Sequence, residues 1–515
     1  RSEEAVQHFH EALDLDSTFA LAGLEFGRAA AWGGASAEDE ARADRVAQVG
    51  RERLSPADRA LLDARLGGWS SAPELFKVWD AAVNAYPDRA ETWYGLGDVH
   101  YHWGLMAGEG APMVRAADAF RRGWALDSAA GLAALSSPPI AEPMLHLVEL
   151  ASMQRDTAAV LRLTAQVLAR DSTGELAQTL MWHRALVTGD SARRAFWNQI
   201  AGAGQLATMH IVLFIIWTGV GIEDLPRATA EDRRRLESHD PGFGVFAHNV
   251  GALNSGRPGD VIDGDARGGP PLHGQLRGRI TQALSWDGDT AAARDAARSL
   301  SGYEAAPLLA GEGARTQLED RCALGRWQVA HGDYQAAATV SRRLRAARVP
   351  GLTRDDSTSV AHYVEFCPAL LDATRASALA LPDARARIQF ADSLARTFVF
   401  EVCCDEAVSD ANLVLARLWE QAGDLSRALS ATRRRTGAYV LAPLYMSSFL
   451  REEGRLAALS GDTAGAVHAY RHYLALRPDP EASVRPAVER VRRDLTALQA
   501  RWSRVNSDTG AATTP

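Results

Sequence analysis

The chain has 515 residues, of which 47% are hydrophobic and 23% charged, with a formal net charge of -8. This supplies apolar material for several domains or one long array, and the acidic balance argues against nucleic acid as a partner. Of the 56 basic residues only Lys77 is a lysine, with no glycine loop before it, which excludes Walker-type ATPases, protein kinases and Schiff-base enzymes.

In chain order, Ala5, Phe9 and Ala12 have the spacing of the second helix of a helix–turn–helix unit. Phe26, Gly27 and Ala30 belong to the first helix of the next, so the pattern opens halfway through a repeat and predicts an upstream domain. Ser55-Pro56-Ala57-Asp58 predicts a capped helix start. Trp93, Leu96 and Gly97 open a further unit, continued by Ala116, Phe120 and Gly123. Leu147 to Leu168 and Leu370 to Leu394 keep helical apolar spacing, and strand-type alternation is absent throughout. Ala195 to Ile222 carries no formal charge, yet Asn198, Gln199, Gln205 and His210 dilute it; a buried helix is expected, not a membrane span. Gly251 to Gly278 holds eight glycines, Arg257-Pro258 and Gly269-Pro270-Pro271, and reads as an irregular loop. The predicted organisation is therefore a helical array over 1–250, an interruption over 251–278, a second array over 279–505 and a disordered tail over 506–515.

A glycine–aspartate pair recurs at Gly189, Gly288, Gly332, Gly423 and Gly461, and in four of the five an alanine stands four residues after the aspartate (Ala293, Ala337, Ala428, Ala466). The Gly189 copy has Arg194 there. Glycine ends one helix in the left-handed conformation and aspartate caps the next. Gly325, Ala416 and Gly454, seven residues ahead of three of these glycines, let two helices approach closely. The copy formed by Gly454, Gly461, Asp462, Ala466, Tyr470 and Pro478 resembles the tetratricopeptide repeat. The resemblance implies an all-α fold, an α-solenoid of roughly twelve to fifteen helix pairs in a right-handed superhelix.

Leu15 to Ala22, Ala411 to Leu418, Leu450 to Leu459 and Ala469 to Pro480 together resemble the C-terminal repeat region of bacterial tetratricopeptide-containing serine/threonine kinases and related transcriptional regulators. No Gly-rich loop, His-Arg-Asp or Asp-Phe-Gly occurs, so no catalytic residue carries over. The resemblance implies a non-enzymatic scaffold that binds a protein or peptide, with no cofactor. A free-standing, processed periplasmic protein binding a peptide or small ligand is the alternative.

In this repeat class the first helices line the concave groove, and the residues following the small position are Arg28, Asp98, His183, Gln282, Arg326, Arg417 and Arg455. With Arg451, four residues before Arg455, the arginines suit a clamp on a peptide carboxylate, whose two oxygens the guanidinium fork can grip. The competing expectation is that they pair with Glu420, Glu452 or Glu453. Tyr94 and Tyr101, beside His100 and His102, fit a groove wall or a core. His468 and His472 have the i, i+4 spacing of two metal ligands but no evident third, so no metal is expected. Gly242-x-Gly244-x-x-Ala247 lacks the preceding strand of a dinucleotide site. The four cysteines read as small buried hydrophobes.

Overall fold

The computed structural model describes residues 2–33, 37–67, 72–129, 141–169, 172, 175–200, 205–236, 241–261, 277–286, 291–301, 312–349, 362–397, 410–435 and 442–508. Among the described residues there is no strand. The chain forms two compact units, Arg1–Ala203 and Gly204–Pro515.

The first unit contains α1 (Ser2–Leu15), α2 (Ala20–Gly33), α3 (Ala37–Val49), α4 (Pro56–Leu66), α5 (Ala72–Ala85) and α6 (Ala90–Trp103). It continues with α7 (Pro112–Ala129), α8 (Ala141–Met153), α9 (Thr157–Leu168), α10 (Glu175–Thr188) and α11 (Asp190–Gln199). The second unit opens with α12 (Gln205–Thr218), α13 (Leu225–Leu236), α14 (Pro241–Asn254), α15 (Arg277–Trp286) and α16 (Ala291–Ser301). Then follow α17 (Glu312–Ala330), α18 (Tyr334–Ala346), α19 (Cys367–Ala378), α20 (Ala384–Thr397) and α21 (Ala411–Gln421). The last four are α22 (Leu425–Arg433), α23 (Met446–Leu459), α24 (Thr463–Leu476) and α25 (Arg485–Asp508). Chain neighbours pack on one another, as in α6 with α7, α17 with α18, α21 with α22 and α23 with α24. This is an all-α fold of stacked tetratricopeptide-like helix pairs.

The turn chemistry explains the pairing. Gly332, Gly423 and Gly461 take φ of 79°, 78° and 82°, and a Cβ on any of them would meet nothing within 4 Å. The backbone conformation alone therefore favours glycine there. The next residue caps the following helix: Asp333, Asp424 and Asp462 accept from the backbone N–H of Ala336, Arg427 and Gly465 at 3.1, 3.1 and 2.9 Å. Ala337, Ala428 and Ala466, one turn on, are buried. The Gly189 copy departs from this: Asp190 starts α11, and its N-cap Gly189 offers no side chain. Conversely, Arg155 (φ 56°) and Asp156, which caps Ala159 at 3.0 Å, build the same turn with arginine in the glycine position.

Small residues set how closely the paired helices approach. A Cβ on Gly454 would lie 2.3 Å from the Tyr470 ring, one on Gly97 2.6 Å from Phe120, and one on Gly325 3.1 Å from Val340. Ser55 caps α4 by accepting from the Asp58 N–H at 3.1 Å, with Pro56 in the first turn. Leu147 to Leu168 divides into α8 and α9, and Leu370 to Leu394 into α19 and α20. Ile211 to Ile216 in α12 are all at most 2% exposed, and among the described residues no helix is long and apolar enough to cross a membrane.

The glycine-rich stretch expected to be irregular from Gly251 begins inside α14, which runs to Asn254. Its first residues are docked rather than loose. The Asn254 side chain accepts from the Ser447 N–H at 2.8 Å, and buried Arg477 donates to the carbonyls of Leu253 and Asn254 at 3.2 and 3.1 Å. The Glu481 N–H donates to the Gly256 carbonyl at 3.0 Å. Residues 262–276, the Gly288-Asp289 turn, Cys403, Cys404 and residues 509–515 lie outside the described residues.

Two of the cysteines correct the sequence reading. Cys322 and Cys367 are buried as expected, at 6% and 2% exposure, but they are joined in a disulfide across 45 residues, with Cα atoms 6.0 Å apart. Spacing gave no sign of it, because the bridge links α17 to the start of α19, which adjoin only through the stacking of successive helix pairs.

Candidate functional site

Two polar groupings stand on the first helices of successive pairs. In the second unit, α17, α21 and α23 carry Arg326, Arg417, Arg451 and Arg455. Arg326 is buried, its side chain 9% exposed, and bonds Asp410 at 2.8 Å. Arg455 forms a two-pronged pair with Glu420, 2.6 Å on each prong, and also bonds Glu452 at 2.9 Å. Arg417 lies 4.1 Å over the Trp286 ring and reaches Glu452 at 3.4 Å. Arg451 donates to the Trp286 carbonyl at 2.7 Å.

Burial raises the pKa of Glu452, but the charges of Arg417, Arg451 and Arg455 outweigh it and hold the carboxyl below its usual range. The hydrogen bonds that Arg455 donates to Glu420 raise its pKa above the ordinary value, against the opposing effect of burial. The arginines thus have carboxylate partners of their own, and Arg417 and Arg455 keep 48% and 36% of their side chains exposed. Arg28 and Gln282, two further groove-facing candidates, lie outside the residues whose side chains are described.

In the first unit, α6, α8 and α10 bring together Asp98, Tyr101, His102, His146, Glu149, Ser152 and His183. His102 Nε2 is 3.3 Å from Asp98 Oδ1. Glu149 accepts from the Tyr101 hydroxyl at 2.6 Å and lies 2.9 Å from His146 Nδ1. The Tyr101 ring is fully buried and stacks on His146, with centroids 4.1 Å apart, so Tyr101 belongs to the interior. Tyr94 packs close to Gly123, where a Cβ would meet its ring at 2.6 Å. His100 stacks on Phe76 and bonds Glu109 at 2.7 Å.

Burial pushes Glu149 up, but the hydrogen bond and charge of His146 prevail and its carboxyl sits below the usual range. Burial works to raise Asp98 as well, and His102 outweighs it. His183, fully buried, is pushed down to about 4 by desolvation. It bonds Ser152 at 3.0 Å, and both are closed to solvent, so this pair is not placed to present a nucleophile to a substrate.

His183 carries a measurable consequence. Between about pH 6.5 and 4 the unfolded chain protonates this imidazole and the folded one does not, so the unfolded state binds more protons and stability falls with falling pH. The expected contribution is about 1.4 kcal/mol per pH unit in that window. Denaturant titrations at several pH values should show a slope shallower by that amount in His183→Gln; an unchanged slope contradicts the assignment.

His472 packs on Gly219, where a Cβ would lie 3.0 Å from its ring, and desolvation pushes it down to about 3. What spacing missed is the convergence of His146 and Glu149 on Asp98 and His102 from the next pair's first helix. The available signal was that Asp98 and His183 occupy the same repeat position two pairs apart.

No protein-family model matches the chain, and no curated protein does. Among solved structures it is similar to the APC/C hetero-tetramer Cut9–Hcn1, at 14% identity over 94% of this chain and 86% of that one, with a TM-score of 0.29. It is also similar to the TPR domain of P58(IPK), at 11% identity over 86% of this chain and 99% of that one, TM-score 0.18. Naa15/Naa10 bound to HypK-THB follows at 14% identity, covering 90% and 76% of the two chains, TM-score 0.21. Likenesses this distant carry no functional argument, and the repeat assignment stands on the turns and helix pairs described above.

Proposed function

We propose that the chain is a non-enzymatic scaffold binding a protein or peptide, the interaction region of a bacterial signalling protein with a kinase or DNA-binding domain upstream. The observation that supports this reading most is the array of capped, glycine-turned helix pairs, whose first helices bear half-exposed charged side chains. Arg417, Arg451 and Arg455 form the recognition face, and an acidic or C-terminal carboxylate of the partner takes the place of Glu420 on Arg455. Such an exchange replaces one charge-assisted pair by another and costs little, while the partner's apolar residues supply the net gain.

The two sides of the pair give opposite expectations. Glu420→Gln removes one of the two carboxylates on Arg455 and should tighten binding of acidic-tailed peptides. Arg451→Ala with Arg455→Ala should weaken it about tenfold or more, the worth of one or two charge-assisted hydrogen bonds. Fluorescence anisotropy with labelled peptides at low and high salt measures both; equal affinity in the wild type and the double variant contradicts the reading.

A second reading is favoured by the Cys322–Cys367 disulfide: a processed periplasmic protein holding a peptide or small ligand on the same face. Disulfides persist in oxidising compartments and are rare in the cytoplasm of mesophiles. Cell fractionation of the native protein distinguishes the two readings.

A further inference from the structure

We propose that Asp98, His102 and His146 form a binding site for a divalent transition-metal ion, with zinc as the best-matched occupant. One ligand atom from each of the three lies within 4.8 Å of the other two. A tetrahedral zinc with bonds of about 2.0–2.1 Å holds its donors roughly 3.3 Å apart. The Asp98–His102 edge is already 3.3 Å, and with all three donors within 4.8 Å an approach of at most about 1.5 Å by the His146 ring completes the triangle.

The arrangement behind the ligands points the same way. Asp98 and His102 stand one turn apart on α6 and so share a face, while α8 supplies His146 from the next helix pair. Glu149 lies 2.9 Å from His146 Nδ1 and is itself anchored by the Tyr101 hydroxyl at 2.6 Å. A carboxylate accepting a hydrogen bond from the Nδ1–H of a histidine fixes its tautomer and leaves Nε2 as the metal-facing nitrogen, as second-shell carboxylates do in zinc sites. Two imidazoles and one carboxylate select zinc and its neighbours over magnesium or calcium, which prefer all-oxygen shells. Asp98 keeps 45% and His102 18% of its side chain exposed, which provides an entry path and leaves a fourth position for water or a partner's donor atom.

The test uses the full chain, stripped with a chelator and then titrated with zinc against a competing indicator, with magnesium as the control metal. One equivalent should bind, magnesium should not compete, and cobalt substituted at the site should give the visible bands of a tetrahedral complex. Asp98→Asn and His102→Ala alter positions that are only partly buried, so the helical circular dichroism should be unchanged while zinc affinity falls at least tenfold. Glu149→Gln should weaken binding about 10–100-fold. Absence of a saturable equivalent in the wild type, or wild-type affinity in His102→Ala with the fold intact, overturns the site.

Discussion

Replacing Cys322 and Cys367 together by alanine is expected to lower the stability of the second unit by about 4 kcal/mol. The bridge closes 45 residues, and the chain-entropy relation for a loop of that length gives about that figure at 25 °C. Both sulfurs lie within a cluster of Leu318, Val340, Leu344, Tyr363 and Leu371, so the alanines also forfeit some packing. Urea denaturation of the oxidised wild type and the double variant measures the difference. A thiol titration of the denatured, unreduced chain should find no more than two free thiols, because the sequence contains four cysteines and the bridge consumes two. Four free thiols, or a stability difference below about 1 kcal/mol, contradicts the bridge.

Asp392→Ala is expected to destabilise the same unit by about 3–5 kcal/mol, the usual cost of leaving a buried charge without its partner. Arg434 is 1% exposed and Asp392 5%, and the two are ion-paired. Asn412 accepts from Arg434 at 3.2 Å and returns a bond to the Arg434 carbonyl at 2.9 Å, tying α21 to the residue that follows α22. Burial already pushes the Arg434 pKa down to about 10, so desolvation is felt even with the carboxylate present. Removing both charges should behave differently from removing one: Asp392→Leu with Arg434→Met is expected to lie within about 1 kcal/mol of the wild type or above it. A double variant as unstable as Asp392→Ala would show that packing, and not the stranded charge, carries the cost.

The repeat was legible where its chemistry is local. Gly332-Asp333, Gly423-Asp424 and Gly461-Asp462 each announce a left-handed turn and a helix cap within two residues, and each folds that way. Arg155-Asp156 builds the same turn without that mark, since arginine in a left-handed conformation leaves no compositional trace. Gly189-Asp190 carries the mark without the cap, because its aspartate lies inside the helix.

Long-range pairings were less accessible. The choice between open arginines and arginines paired with glutamates depends on which residues of α21 and α23 face each other. The disulfide and the His146–Glu149 contact with α6 depend on which helix pairs adjoin. Helical periodicity fixes a face, but not what the neighbouring helix sets against it. Tyr101 shows the consequence, as its helical position suits a groove wall or a core equally, and its complete burial against the His146 ring decides for the core.

The most direct test of the scaffold account is to locate the partner's carboxylate on the protein. An acidic-tailed peptide with a photo-reactive residue next to its C-terminal carboxylate is bound, irradiated and mapped by mass spectrometry. The account predicts crosslinks in Ala411–Gln421 and Met446–Leu459, suppressed by high salt and lost in Arg451→Ala with Arg455→Ala. Crosslinks confined to other helices, or insensitive to salt and to those two substitutions, would contradict it.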